Sequence, residues 1–152
     1  DTLAANGLVM AVSVPEPEKM KEAAGKNTAR LLASASEAGF TPLLLTASDP
    51  ASFSSLIASG KYTQAESMTL LTSVYYSDYK TLISLNRSNG GAVYFNDGNI
   101  ISKWAARSLP SNRKLGKLIR KDRVEVMLDA DGKGKLLFEA FMLYTFTLML
   151  IL

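Results

Sequence analysis

The chain has 152 residues, 47% of them hydrophobic and 20% charged, with a formal net charge of +3. That balance fits a folded domain with a sizeable core and excludes a disordered chain. With no cysteine and no histidine, it excludes disulfides, thiolate catalysis, a Ser-His-Asp triad and zinc sites built on sulfur or imidazole.

Asp1-Thr2-Leu3 carries neither an initiator Met nor a basic n-region. The start therefore is not a signal peptide and reads as a cut within a longer protein. Leu8–Val14 is a continuous apolar run, which suits a strand buried on both faces of a parallel sheet. Pro15 ends it, and Pro17 stands where a first-turn helical proline is tolerated. Met20, Ala24, Thr28, Leu31, Leu32, Ala35 and Ala38 recur at helical spacing, predicting a helix over 17–38 closed by Gly39.

A second strand is expected from Pro42 to Ser48. Asp49-Pro50 then supplies an N-cap and an N1 proline for a short helix with Phe53, Leu56 and Ile57 inward and Gly60 at its end. Met68 to Val74 predicts a third strand, because Thr69, Thr72 and Val74 are β-branched. Ser77 or Asp78 caps a helix with Tyr79, Leu82 and Ile83 inward. Ala92–Phe95 and Ile100–Trp104 flank Asn96-Asp97-Gly98-Asn99, a hairpin whose Asp-Gly pair suits a type I′ turn. Ser111 caps a last amphipathic helix, with Leu115, Leu118 and Ile119 inward and basic residues outward. Strands alternating with helices predict an α/β fold, a mixed sheet with helices on both faces and a C-terminal antiparallel hairpin.

Val14-Pro15-Glu16-Pro17-Glu18-Lys19-Met20 resembles the strand-to-helix turn of the thioredoxin superfamily, W-C-G-P-C-K-M. Pro15 and Glu18 stand where that family has its two cysteines. Asn89-Gly90-Gly91 precedes a strand as the family's cis-proline does, with glycine in the proline's place. The resemblance covers roughly residues 7–121 and implies a thioredoxin-like fold without thiol chemistry. Leu45-Thr46-Ala47-Ser48, Asp78 through Asn89, and Gly98 through Trp104 are similar to the thioredoxin-like domain of DoxX-type membrane proteins of Bacteroidetes. This resemblance implies a bacterial, membrane-associated protein, on an undetermined side of the membrane. The expected organisation is a thioredoxin-like domain over 1–123 and a C-terminal extension over 124–152.

Glu16 and Glu18 suggest acid–base work, although carboxylates at a first helical turn also offset the helix dipole. Asn89, Gly90 and Gly91 suggest a backbone nest for an anion, or simple turn geometry. Trp104 offers a stacking surface, or cross-strand packing. These six are the binding candidates; catalytic residues, metal and cofactor are expected to be none. Asp129-Ala130-Asp131-Gly132 lacks EF-hand spacing and reads as a turn. Lys103, Arg107, Arg113, Lys114, Lys117, Arg120, Lys121, Arg123, Lys133 and Lys135, against Asp122, Glu125, Asp129 and Asp131, make the C-terminal third basic, which reads as a solvated helix face or a surface for nucleic acid or anionic lipid. The hairpin aromatics lack interleaved basic residues, so nucleic acid is not an expected partner.

From Ala140 to Leu152 every residue is apolar, aromatic or Thr. The stretch from Leu136 reads as membrane-entering, with a buried core helix or strand as the competing reading. Expected partners are a membrane protein or lipid bilayer through this segment, and a protein bound elsewhere. The function these features imply is a redox-inactive binding or assembly domain. The alternative is an accessory part of an enzyme whose catalytic residues lie outside this chain.

Overall fold

A computed structural model describes residues 7–120 and 141–144. The chain divides into two compact units, Asp1–Arg120 and Lys121–Leu152. In the second, residues 141–144 are helical and exposed. Asp129–Gly132, Lys133, Lys135 and the rest of the apolar run lie outside the described residues. Among the described residues no helix is long and apolar enough to cross a membrane.

The first unit is α/β, built on a five-stranded mixed open sheet. β1 (Leu8–Val14) is its central strand, buried along almost its whole length. It pairs in parallel with β2 (Thr41–Thr46), which pairs in parallel with β3 (Val74–Tyr76). On the other side it pairs antiparallel with β4 (Gly91–Asn96), which continues into β5 (Asn99–Trp104). The spatial order is β3-β2-β1-β4-β5.

Register assigns the faces. Met10, Val12 and Val14 share one face with Leu44, Ala92 and Tyr94, all buried. α1 (Glu22–Glu37) and α5 (Asn112–Arg120) belong to that side. Phe40, just beyond α1, meets Tyr94 edge-on at 5.3 Å, and the Lys114 ammonium of α5 lies 5.5 Å from the Trp104 ring centroid. Val9, Ala11 and Leu43 share the opposite face with Leu45 and Phe95. There the Ser13 hydroxyl donates to the carbonyl of Leu82 in α4 (Tyr79–Leu85), and Lys103 Nζ donates to Leu85 O at 2.8 Å. Helices therefore cover both faces, as expected.

Three expectations change. The helix over 17–38 is two pieces: a 3₁₀ turn at Pro17–Lys19, then α1. Met20 and Lys21 are extended between them, because the turn closes on Met20 N–H to Pro17 O and the helix restarts from Lys21 O. The run Met68–Val74 is not a strand; α3 (Gln64–Thr72) takes most of it. Thr63 and Glu66 close a capping box that starts α3. The hydroxyls of Thr69 and Thr72 bond back to Ala65 O and Met68 O, which accommodates them in a helix. Finally, Tyr79 and Ile119 are exposed rather than inward. The Leu115 and Leu118 pair alone forms the buried stripe of α5.

α2 (Pro50–Ser59) starts as read, with Asp49 accepting from Ser52 N–H at 3.0 Å, and Asp78 caps α4 through Thr81 N–H. The hairpin also holds. Asp97 has φ 46° and Gly98 φ 78°, the left-handed pair a type I′ turn needs. Asp97 further ties the strand entry, accepting from Gly7 N–H at 2.9 Å and donating its own N–H to Gly7 O. Gly98→Val should lower stability by more than about 1 kcal/mol, since a β-branched residue is strained at positive φ. Urea melts of the two chains measure this; equal midpoints would overturn the turn assignment.

Candidate functional site

Ligands of open α/β sheets gather outside the carboxyl ends of the parallel strands, where backbone groups and helix starts converge. Here the segments leaving β1, β2 and β3 line one cleft of about 760 Å³. Pro15–Lys19 follow β1, Ala47–Asp49 follow β2, and Tyr79 follows β3; Ser52 and Leu56 of α2 complete the wall.

Glu16 is the polar centre of this cleft. Its Oε2 lies 2.6 Å from Lys19 Nζ, and the Tyr79 hydroxyl donates to its Oε1 at 3.1 Å. These two contacts, the one with Lys19 first, hold the Glu16 carboxyl below its ordinary pKa. Tyr79 is raised by the same carboxylate, and so is Lys19. Glu16 thus stays ionised and Tyr79 protonated at neutral pH. A carboxylate already engaged twice, and made less basic, is poorly suited to proton transfer. It is suited to holding charge at a fixed place. Asp49 adds a second carboxylate to the wall, lowered by the Ser52 hydroxyl and then by backbone N–H groups. Glu18 lines the cleft too and is exposed.

The loop before β4 builds the opposite support. Asn89 grips the backbone of Glu16 with both ends of its amide: Nδ2 donates to Glu16 O at 2.7 Å, and Oδ1 accepts Glu16 N–H at 3.3 Å. The Asn89 side chain therefore positions the cleft without being among its lining residues. Gly90 N–H donates to Ser13 O at 2.7 Å and Gly91 N–H to Ser88 O at 2.8 Å. Both amides are spent inside the fold, which leaves the turn reading of these glycines and removes the anion nest. Trp104 is 8% exposed, packed under Lys114, and does not line the cleft.

Of the six sequence candidates, the fold brings Glu16, Glu18 and Asn89 together and sets Trp104 apart. Reading the sequence missed Tyr79 as a partner of Glu16, and it missed Asn86. Asn86 Nδ2 donates to Ala92 O and Trp104 O, and its Oδ1 accepts from Ser88 N–H. Its amide fills the space a side chain on Gly91 would need, so a larger residue there would displace Asn86 from these bonds. The run Asn86-Arg87-Ser88-Asn89 was the available signal, since asparagine and serine favour such turns.

A scan against protein-family models finds no match, and neither does a search of curated proteins or one of solved structures.

Two measurements follow. Asn89→Ala removes both bonds to Glu16 and leaves backbone groups unpaired, so chemical denaturation should show a loss of about 1–3 kcal/mol; an unchanged midpoint would remove the clamp from the structure's supports. The lowered Glu16 pKa means that its contribution is present at neutral pH and lost as pH falls through the carboxylate range. Glu16→Gln should therefore be less stable than the parent at neutral pH and lose less on acidification to about pH 3. Asp49, Glu66 and Asp78, also lowered, keep some acid sensitivity in both chains. Parallel pH profiles would contradict the assignment.

Proposed function

We propose that this chain carries a redox-inactive, thioredoxin-like domain that serves a bacterial membrane protein as a binding module. Its partner is a protein segment bearing a basic side chain, held in the cleft at the carboxyl ends of β1 and β2. The observation that carries this reading is the cleft's charge. Glu16, Glu18 and Asp49 line it, while Lys19, the one cation among its described lining residues, is already paired with Glu16. The thioredoxin-like part is supported by the strand order, with a parallel β1–β2 pair and an antiparallel hairpin beyond β1. The absence of cysteine from the sequence makes thiol–disulfide exchange chemically impossible for it. The membrane association rests on the apolar stretch Ala140–Leu152 and on the sequence resemblance.

Titration with an extended lysine-bearing peptide, and with a glutamate-bearing counterpart, tests the binding reading by backbone amide NMR. The basic peptide should shift signals from Glu16–Lys19, Ser48, Asp49 and Tyr79, and the acidic peptide should not. The double variant Glu16→Gln, Asp49→Asn should bind about fivefold more weakly, because asparagine still caps α2 while the charge is gone. Equal response to both peptides, or to neither, would overturn this function.

A further inference from the structure

A second cavity, of about 260 Å³, lies away from the acidic cleft and shares none of its lining residues. Arg30 and Asn27 line it from α1, Arg107 from the segment joining β5 to α5, and Asn112 from the first position of α5. Leu31 and Pro110, both buried, supply apolar wall. Among the described residues no carboxylate lines it. Arg107, Asn27 and Asn112 have no side-chain hydrogen bond or ion pair among the described residues. Arg30 has one ionic neighbour, Glu66, whose Oε1 is 3.9 Å from its Nε. That neighbour's other oxygen already accepts Thr63 N–H.

Two exposed arginines lining one groove bring like charges to it, and an anion bound there offsets them. The lining donors come from α1, from the stretch after β5 and from the start of α5. Such an arrangement matches a tetrahedral oxyanion, which accepts from several directions, better than a flat carboxylate satisfied by one fork. Arg113, Lys114, Lys117 and Arg120 on the exposed side of α5 add positive potential without an acidic residue in that helix. We propose that this cavity binds a phosphate group, with Arg30 and Arg107 as the charged ligands and Asn27 and Asn112 as neutral donors. The proposal is independent of the peptide cleft, whose residues it does not use.

The test uses the full 152-residue chain. One arm titrates inorganic phosphate at constant ionic strength, with chloride as the reference; the other offers phosphatidylcholine vesicles with and without phosphatidic acid. Phosphate should shift the amide signals of Asn27, Arg30, Ala106, Arg107 and Asn112 where chloride does not. Arg30→Ala and Arg107→Ala should each weaken binding about tenfold, since each removes charge-assisted hydrogen bonds. Lys117→Ala, on the outer side of α5, should change it less than about twofold, as a remote surface charge does. Response to phosphate assigns a soluble phosphate compound; response only to vesicles containing phosphatidic acid, lost in Arg107→Ala, assigns a lipid headgroup. Both arginine variants are at exposed positions, and an unchanged amide spectrum confirms that they fold. Binding that survives both, or that chloride reproduces, would overturn the site.

Discussion

The first unit depends on β1 being satisfied on all four sides. An apolar strand without a polar face needs cover above and below, and its backbone groups need partners along both edges. β2 supplies one edge in parallel and β4 the other in antiparallel register. α1 and α5 belong to one face, α4 to the other. Because β2 is reached through α1, the loops leaving β1 and β2 meet at the same end of the sheet. The acidic cleft is a consequence of that pairing.

A polar network fixes the same end. Asn86, Ser88 and Asn89 lie within four residues, yet their bonds reach Glu16, Ala92, Trp104 and Ala106. These partners come from the exit of β1, from both strands of the hairpin and from the stretch just after β5. Partly buried amides with unmet valences are costly, so alternative packings of this loop are disfavoured. The loop thereby orients Glu16 through its backbone, while Lys19 and Tyr79 orient its carboxylate.

The charge of the unit is segregated. Carboxylates gather where β1 and β2 end, and guanidinium groups gather around the α1 and α5 cavity. The net charge of +3 for the whole chain conceals this division, since it reports only the difference. Two surfaces of opposite sign fit the basic protein segment and the phosphate group proposed as partners.

Local chemistry made much of the fold legible. An unbroken apolar run marks β1, Asp49-Pro50 and Asp78 mark helix starts, and Asp97-Gly98 marks the hairpin, because each works through neighbours in sequence. The same local rules also held a signal for α3, the capping pair Thr63 and Glu66, which the reading of the β-branched residues as a strand did not use. Glu16 and Glu18 were legible as candidates because they are carboxylates at an expected first helical turn. What the sequence did not disclose is that Tyr79, 63 residues away, completes Glu16, or that Asn89, 73 residues away, holds its backbone. Such partners are chosen by strand order and register, which bring distant loops to one edge of the sheet. Periodicity and capping act over a few residues and carry no information about which edge that will be; only the packed sheet decides it.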